Sequence, residues 1–524
     1  MMAKTGTDRR TLRGLRVDLS GGSAAREELP AEVRGAVLGG RGLGAYLLLS
    51  ERAYQVDPLG PRNPLVFAPG PLTGTAAPSA ARYSLSSRSP LTGTIFDGNS
   101  GGGFGVALRR LGLDYLAVTG ACREPSYVFV GDQGTSLLPA DELWGLDVPA
   151  TLARLRKLHG RCEAAVIGPA GERAVLFASV ANNRGRQIGR GGLGAVMGAK
   201  LLKAVVVGAR GGSPPLVADK RGFDLVVSEA RTLLSANPIT SQALPEFGTA
   251  VLMNVLDQVG ALPTRNFRAS RFELAELISG EALRADFAQK GAPCRGCFIG
   301  CSRRMRSAGG ASQGPEYEGL WALGADCGIG DLGAVVEANH ACNRLGLDTI
   351  TMGATIACAM ELTEEGVLKG GPRFGDPAAL LELVSATAYR RGLGDELAEG
   401  SRRFAARHGR PDLAMQVKGL ELPAFDPRGM TGQGLAFATS NRGACHGRAN
   451  MLGPEIFGVP ELVDRFAVHG KAGILIHLQN LNAVLDSLLE CKFAAYVLKE
   501  DHFARLLSAV TGETVETPEL LRAG

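Results

Sequence analysis

Up to about residue 212, the apolar positions fall in short β-branched runs that glycine and proline residues separate. Runs of this length between turn residues are typical of β-strands. We therefore predict a β-rich domain over residues 1–212. Its strands are expected in the segments PLVFAPG, DYLAVTG, SYVFVG, AAVIGPAG, RAVLFASVA and KAVVVGA.

The pattern changes at GARGGSPPLVADK, a segment rich in glycine and proline that indicates a domain boundary. Beyond it, apolar residues recur at helical spacing. Asp331 can cap a helix that runs to Leu345, and Gly346 can end it. We predict one helical domain over residues 213–419 and a second over 420–524, so the fold class is α+β.

The composition is that of an ordinary globular protein. The 524 residues suffice for roughly three domains. The 57 basic and 52 acidic residues give a net charge of +5 without a basic tail, so no nucleic-acid partner is expected. There is no signal peptide or apolar run of membrane-spanning length, so we also expect no membrane partner. The protein is predicted to be cytoplasmic, with its ten cysteines reduced unless a metal binds them.

The clearest chemical signal is the CxxCxxxC run of Cys294, Cys297 and Cys301. Zinc sites usually pair two halves of two ligands each, whereas this run holds three thiols and the later cysteines are isolated. The asymmetry favours an iron–sulfur cluster that carries single electrons. A zinc site and a chance group of buried cysteines remain as alternatives.

Two glycine-rich loops have the character of cofactor contacts. Residues 189–194, GRGGLG, match the spacing of a dinucleotide fingerprint, but a polar loop precedes them and no acidic residue follows at the required distance. We favour a loop that approaches a cofactor closely, with Arg190 as an anion ligand. The loop at residues 99–103 is similar and has Arg82 upstream. Either loop alone would also suit a surface turn.

Four polar residues are candidates for site chemistry. Glu337 and His340 form an ExxH pair on one helix face, which suits a metal or merely a solvated surface. His446 is either a general acid–base or a structural hydrogen-bond donor. Glu318 is expected in a strand-like or irregular stretch beside aromatic residues. Desolvation there would raise its pKa, as a general acid requires, although a surface glutamate is the ordinary alternative.

Taken in order, these segments resemble the tungsten-containing aldehyde:ferredoxin oxidoreductase family along almost the whole chain. The motifs that carry the resemblance are GGRGLGAYLL, NPLVFAPGPLTGT, SPLTG, GRGGLGAVMGAKLLKAV, CxxCxxxC, EYE, ExxH, NRLGLDTI, DPRGMTGQGLAFATSNRGACH and DSLLEC. The resemblance implies an N-terminal double β-sheet domain that binds cofactor. The implied cofactors are tungsten or molybdenum held by two molybdopterins (a tungstopterin) and a [4Fe-4S] cluster.

The resemblance also assigns residues. It makes Cys491 the fourth cluster ligand, beside Cys294, Cys297 and Cys301. Glu318 would accept a proton near the metal, and His446 would donate a hydrogen bond to the substrate oxygen. Two short segments of similar pattern, NRLGLD at residues 343–348 and DSLLEC at residues 486–491, echo each other in the sequence. They would hold the two pterins symmetrically from the two helical domains. The implied pterin contacts are Arg82, Asn99, Gly101, Arg190, Gly191, Asn343, Asp348 and Asp486.

The implied activity is oxidation of a small aldehyde to its carboxylate, with electrons passing through the cluster to ferredoxin. Glu337 and His340 would hold an accessory metal such as Mg or Fe between two subunits, which favours a homodimer or a larger complex. Two alternatives remain open. One is a low-potential reductase subunit of the benzoyl-CoA reductase type, and the other is a non-catalytic iron–sulfur electron-transfer subunit.

Several positions depart from the family pattern. Asn343 replaces an aspartate, and Leu489 replaces a glycine. Glu490 introduces a carboxyl next to Cys491, where a buried negative charge would lower the potential of a cluster. Cys327 is either a soft metal ligand or a core cysteine. The sequence stops at PELLRAG, where relatives continue with a helical tail, so the substrate channel and some interface packing are expected to differ.

Overall fold

The computed structural model describes residues 11–208, 213–287, 289–307 and 310–523, apart from the side chain of Arg184. The domain boundary predicted at residue 212 lies outside these ranges.

The described residues form seventeen strands and twenty α-helices. The strands are β1 (Leu12–Asp18), β2 (Ser23–Leu29), β3 (Leu65–Pro69), β4 (Tyr83–Arg88), β5 (Ile95–Ser100), β6 (Tyr115–Thr119), β7 (Ser126–Gly131), β8 (Gly134–Pro139), β9 (Glu163–Val166), β10 (Val180–Asn182), β11 (Arg186–Ile188), β12 (Leu202–Gly208), β13 (Gln289–Gly291), β14 (Arg303–Ser307), β15 (Gly310–Gln313), β16 (Gln416–Val417) and β17 (Leu420–Glu421). The helices are α1 (Ala31–Ala36), α2 (Gly40–Ser50), α3 (Phe104–Arg110), α4 (Val148–His159), α5 (Pro169–Glu172), α6 (Leu193–Ala199), α7 (Lys220–Ala236), α8 (Leu244–Phe247), α9 (Leu252–Gln258), α10 (Gly280–Asp286), α11 (Tyr317–Leu323), α12 (Leu332–Leu345), α13 (Thr349–Glu364), α14 (Pro377–Ala388), α15 (Leu393–Leu397), α16 (Ser401–Arg407), α17 (Thr431–Thr439), α18 (Lys471–Leu488), α19 (Glu500–Thr511) and α20 (Thr517–Ala523).

Two six-stranded sheets form the N-terminal part of the fold, in the orders β2-β1-β6-β3-β4-β5 and β11-β10-β9-β12-β7-β8. Their inner faces share one apolar core, in which Phe67 and Leu116 of the first sheet cluster with Val128 and Val205 of the second. Helix α2 covers the outer face of the first sheet, and α4 covers that of the second. Burial of both faces explains why these strands read as continuous apolar runs. The predicted α+β class, with a β-rich domain followed by helical regions, is confirmed.

One strand prediction was largely wrong. In RAVLFASVA only the end is a strand, as part of β10. The preceding residues pair with the helical region instead: the Leu176 amide donates to Ala398 O, and the Ser179 amide donates to Gly346 O. The polar segment NNRGRQIGR was predicted as a loop, yet it contains β11. Backbone pairing with residues far away in the sequence replaced the local preference in RAVLFASVA, whereas the second segment forms β11 by antiparallel pairing with the neighbouring strand β10.

The predicted helix after Asp331 is confirmed as α12. The Asp331 carboxylate accepts a hydrogen bond from the Ala334 amide at 3.0 Å, which satisfies one of the free amides of the first turn. Gly346 ends the helix with a φ of 82°, in the left-handed region that glycine adopts without strain. Among the residues described here, no helix combines the length and apolar character that a membrane crossing requires.

The two echoing segments dock on the β-rich region in the same way. Helices α12 and α18 both end in them, and each last turn packs against a glycine that follows a strand. A Cβ on Gly168 would lie 2.4 Å from Leu345 O, and a Cβ on Gly70 would lie 2.2 Å from Leu488 O. Both contacts are closer than any side chain allows, so glycine sets the distance between helix and sheet at both places.

Candidate cofactor and catalytic site

A cavity of about 440 Å³ lies where the β-rich and helical regions meet. Its walls come from sequence positions as distant as Ser79 and Tyr496. The predicted site residues on these walls are Arg82, Asn99, Gly101, Arg190, Cys294, Cys297, Cys301, Glu318, Asn343, Asp348, His446 and Cys491. A smaller cavity of about 230 Å³ adjoins it at Asn99 and Arg190 and contains Asp486. Long-range folding therefore assembles most of the predicted site in one place.

The four candidate cluster cysteines share the larger cavity. Gly101 lies so close to Cys294 that a Cβ there would be 2.5 Å from the thiol sulfur. The Cys297 sulfur accepts from the Ser79 hydroxyl at 3.4 Å and from the Gly300 amide at 3.5 Å. N–H and O–H donors of this kind are typical around thiolates that bind clusters.

The fourth cysteine, Cys491, lies close enough to the other three for electrostatic interactions between the thiols to shift their pKa values. Burial raises the pKa of Cys491 to about 11, while Arg82 lowers it and the thiols of Cys297 and Cys294 raise it. Burial likewise raises the pKa of Cys301. Free thiolates are therefore costly here, and a bound cation or cluster would stabilise them.

Glu490, next to this cysteine, is buried. Burial raises its pKa to about 8, and Arg82 opposes the shift. Below that pH the carboxyl is largely protonated, so the negative charge expected beside Cys491 is mostly absent at neutral pH. This corrects the sequence-based expectation, which considered burial without its effect on ionisation.

A chain of hydrogen bonds connects the two cavities. Arg82 Nε donates to Asn99 Oδ1 at 2.9 Å, and Asn99 Nδ2 donates to Asp486 Oδ1 at 2.8 Å. Strand β5 presents Asn99 and the end of α18 presents Asp486, so the β-rich region and the last helical region are joined at this point. The three predicted contacts from separate parts of the sequence form one network.

Arg190 connects the glycine loop to two further segments. Its Nη1 donates to Ala444 O at 2.8 Å and its Nη2 donates to Glu421 O at 2.6 Å, while its Nε lies 3.6 Å from Asp348 Oδ2. Asp348 also caps α13, where it accepts from the amides of residues 350 and 351. Asn343 presents its side chain to the cavity from the last turn of α12.

Gly191 has a supporting role rather than a place on either cavity wall. Its φ is 84°, and a Cβ would lie 2.5 Å from the ring of Phe96. Its carbonyl accepts from the Ser89 hydroxyl at 2.7 Å. The residue must be glycine because both the backbone conformation and the adjacent ring exclude a side chain.

Glu318 and His446 face each other on the wall of the larger cavity. Glu318 Oε1 lies 3.3 Å from His446 Nδ1, without the alignment of a hydrogen bond, and Glu318 Oε2 accepts from the Ala424 amide at 3.1 Å. The stretch around Glu318 was predicted to be strand-like or irregular, but Glu318 lies in the first turn of α11. The Phe425 ring packs against His446 with centroids 5.5 Å apart and helps to fix the imidazole.

The cavity changes the ionisation of both groups. Burial raises the pKa of Glu318 to about 8, against the lowering effect of the Ala424 amide and Arg190. Burial and the cations Arg190, Arg442 and Lys492 lower the pKa of His446 to about 3. The side chains are 16% and 31% exposed, respectively, because they face the cavity and not because they reach the outer surface. At neutral pH the imidazole is neutral and the carboxyl is mostly protonated.

Two family models together match most of the chain. The N-terminal domain of aldehyde ferredoxin oxidoreductase matches residues 14–209, and its domains 2 and 3 match residues 225–524. The chain belongs to the aldehyde ferredoxin oxidoreductase family.

Curated relatives in this family are similar over nearly the full chain. The tungsten-containing aldehyde ferredoxin oxidoreductases of Thermococcus kodakarensis and of Pyrococcus furiosus are both 44% identical, over 98% of this chain and 86% of their own length. Among solved structures, the active site complex BamBC of benzoyl coenzyme A reductase, bound to 1,5-dienoyl-CoA, has a TM-score of 0.84 at 23% identity, covering 98% of this chain and 86% of that one. The latter likeness shows the fold alone.

Sequence patterns did not reveal the ion network around Asp486 in this member of the aldehyde ferredoxin oxidoreductase family. Arg448 Nη1 lies 2.7 Å from Asp486 Oδ2, and Lys492 Nζ lies 3.0 Å from Asp486 Oδ1. Arg448 also pairs with Asp97. Arg448 and Arg41 lower the pKa of both carboxyls despite burial. The segment SNRGACHGRANM showed an arginine on either side of His446, but not that Arg448 pairs with Asp97, which lies 351 positions earlier in the chain.

Cys445 is another missed feature beside the catalytic candidates. Its sulfur accepts from Arg442 Nη2 at 2.8 Å and from the Gly447 amide at 3.2 Å. Burial alone would raise the pKa of Cys445, but Arg442, Arg448 and Arg190 bring it down to about 7. A partial negative charge at this thiol therefore balances the cations around the cavities.

Three candidates lie away from both cavities. His340 is buried, with its Nδ1 3.1 Å from Ser307 Oγ, and Glu337 is half-buried on the same helix. In the described part of the chain, no group of three or more His, Cys, Asp or Glu is gathered tightly enough to hold a single metal ion.

Cys327 is fully buried and its thiol donates to Ala322 O at 3.3 Å, as a core cysteine does.

Proposed function

We propose that this chain oxidises an aldehyde to the carboxylate and passes the electrons to ferredoxin, using a tungsten or molybdenum bis-pterin and a [4Fe-4S] cluster. Family membership and the 44% identity to tungsten-containing aldehyde ferredoxin oxidoreductases support the activity. The observation that carries the proposal is the pair Glu318 and His446, 3.3 Å apart, in the cavity that also contains the four cysteines.

The residues present suit a [4Fe-4S] cluster. Four thiols on one cavity wall match the usual ligand number of such a cluster, and Gly101 leaves room beside Cys294 that no side chain would leave. The ligands would be Cys294, Cys297, Cys301 and Cys491. The ten cysteines are all free, as they would be in the reducing cytoplasm that we propose for this protein.

The residues also suit a pair of pterins. Around the smaller cavity, Arg190, Arg442, Arg448 and Lys492 outnumber the single carboxylate Asp486, a balance that favours an anionic phosphate. The buried Arg190 Nε has no hydrogen-bond partner among the described residues, and its ion-pair partner Asp348 is 3.6 Å away, so a polar ligand could use it. Arg82, Asn99, Asn343, Asp348 and Asp486 would orient the pterins from both sides.

Oxidation of an aldehyde with one water gives the carboxylate, three protons and two electrons. When bound, the metal site would accept the electron pair, and the cluster would release the electrons singly. The polypeptide positions the substrate and manages the protons. Glu318 is the residue that accepts one of these protons, because its pKa of about 8 lies near neutral pH.

His446 can respond to the protonation state of Glu318. Once Glu318 has accepted the proton, its carboxyl can donate to His446 Nδ1, which leaves the proton of the neutral imidazole on Nε2. That N–H can donate to the substrate oxygen, as an electrophilic catalyst does. The low pKa of His446, about 3, keeps the ring neutral throughout.

Metal analysis and turnover test the proposal together. Protein purified without oxygen should contain roughly stoichiometric tungsten or molybdenum and about four irons per chain. The same protein should reduce a viologen dye with simple aldehydes. Iron without tungsten or molybdenum would contradict the proposal, and so would a fully metallated sample that turns over no aldehyde.

Two further features belong to the proposal. Glu337 and His340 would contribute to an accessory Mg or Fe site between two copies of the chain. Metal analysis of the dimer fraction, compared with that of a Glu337→Gln variant, tests this.

Ring reduction of the benzoyl-CoA type has weaker support, since that likeness is to a fold at 23% identity.

A further inference from the structure

A third cavity, of about 530 Å³, opens beside the cluster cysteines on the outside of the fold. One side of this cavity is formed by the end of α4 and the start of β9, and another by the segment around Cys294. Five arginines line it, and we call it the arginine groove: Arg156, Arg161, Arg186, Arg295 and Arg304.

Cys294 belongs to the walls of both the arginine groove and the larger internal cavity. Of the four candidate ligands, it alone lines the groove. A cluster bound through Cys294 would therefore adjoin the groove, whereas the other three cysteines line the internal cavity and not the groove. The groove therefore gives an outside partner access to one wall of the proposed cluster site.

The groove carries an excess of positive charge. Glu163 is the one acidic residue on its walls, against five arginines. Arg156, Arg161, Arg295 and Arg304 are exposed, and within the described residues none of the five guanidinium groups forms an ion pair. Arg186 is partly buried and donates to Ala292 O at 2.5 Å, which fixes it at the floor.

We propose that the arginine groove is the docking surface of an acidic one-electron carrier protein of the ferredoxin type, and that electrons leave the protein past Cys294. This inference rests on the proposed function. Transient electron-transfer complexes use small interfaces and depend on complementary charge for fast encounter. Arginines from four separate segments surround an opening over the cluster, an arrangement that attracts and orients an acidic protein surface. Each aldehyde releases two electrons, so two oxidised carriers dock and leave in turn.

Charge reversal at the groove tests the inference. The triple variant Arg156→Glu, Arg161→Glu, Arg304→Glu changes three exposed side chains and leaves Arg186, Arg295 and every proposed cofactor ligand intact. A matched control, Arg26→Glu, Arg62→Glu, Arg221→Glu, makes the same change in net charge at exposed arginines outside the groove. Iron content and thermal melting verify that both variants are folded and loaded.

Turnover is measured with two acceptors, a small viologen dye and an acidic ferredoxin. We expect dye-linked turnover to match wild type in both variants, because the dye needs no docking. With ferredoxin, KM should rise at least about tenfold in the groove variant, and its dependence on salt concentration should weaken. The control variant should keep the wild-type ferredoxin kinetics.

Unchanged ferredoxin kinetics in the groove variant would overturn the docking proposal. A second result would also overturn it: inorganic phosphate or coenzyme A binds to the wild-type groove, this binding is lost in the groove variant, and the ferredoxin kinetics of that variant stay normal. The groove would then bind a small anion and not a carrier protein. Absence of dye-linked turnover in the wild type would instead contradict the proposed function, and the two failures are thus distinguishable.

Discussion

Leu489 and Gly346 occupy equivalent positions at the ends of α18 and α12, and both have left-handed backbone conformations, with φ of 61° and 82°. Each donates a backbone hydrogen bond to the preceding turn, from Leu489 to Leu485 O and from Gly346 to Cys342 O. The two segments that echo each other in sequence therefore form the same helix ending. Leucine has a cost in this conformation that glycine does not.

This comparison predicts an unusual order of stability at Leu489. Its side chain is fully buried, so Leu489→Ala should destabilise the fold by about 2–5 kcal/mol through lost packing. Leu489→Gly loses the same packing but relieves the left-handed strain, worth about 1 kcal/mol. We expect the glycine variant to be less destabilised than the alanine variant, which thermal or denaturant unfolding can measure. The reverse order would mean that strain at Leu489 is negligible.

Replacing Glu318 should separate catalysis from cofactor binding. Glu318→Gln keeps the shape of the side chain but cannot accept the proton, so kcat should fall by about 10²–10⁴-fold. Metal and iron contents should remain at wild-type values. Glu316→Gln is the matched control, because Glu316 lies in the same cavity. Its carboxylate accepts from the Thr249 hydroxyl at 2.6 Å and from Gln313 Nε2 at 3.3 Å, and the amide oxygen of glutamine can still accept one of these bonds. Full activity in the Glu318 variant would remove it as the proton acceptor.

The pH profile should report the same carboxyl. Glu318 acts as a base only when ionised, and burial holds its pKa at about 8, so kcat/KM should rise with pH up to about 8 and level off above it. About one tenth of the carboxyl is ionised at pH 7. His446 adds no transition near neutral pH, since its pKa lies at about 3. The rising limb should be absent from the residual activity of Glu318→Gln, and its persistence there would assign it to another group.

Cys491 should be required for the cluster. Cys491→Ser replaces a soft thiolate with a hydroxyl, so iron content and the electron paramagnetic resonance signal of the reduced cluster should decrease strongly. Cys122→Ser serves as a control because Cys122 lies in the β-rich region, outside the cavity walls. A wild-type signal in the Cys491 variant would exclude it as a ligand.

Local signals in the sequence predicted the features that depend on neighbouring residues. Asp331 and Gly346 delimit α12 because capping is decided within one turn of the helix. RAVLFASVA was mispredicted because its backbone pairs with Ala398 and Gly346, which are more than 160 positions away in the chain. Such pairings leave no periodic trace in either segment.

The candidate site was predictable to a similar extent. The spacing of Cys294, Cys297 and Cys301 indicated a metal centre from residue types alone. The balance between Asp486, Arg448 and Asp97 could not be read from sequence, because each partner comes from a different part of the fold. Ionisation behaves likewise: only burial in the assembled cavity gives Glu318 and Glu490 their raised pKa values.

The walls of the central cavity have a consequence for biogenesis. They include Arg82 near the start of the sequence and Cys491 near its end, and the hydrogen-bond chain through Asn99 closes only when the segment at the end of α18 is in place. The segments up to and including Cys491 must therefore have left the ribosome before this cavity exists. Loading of the proposed cofactors would then follow synthesis of the chain at least as far as Cys491, and any chaperone for it would meet a chain of at least that length.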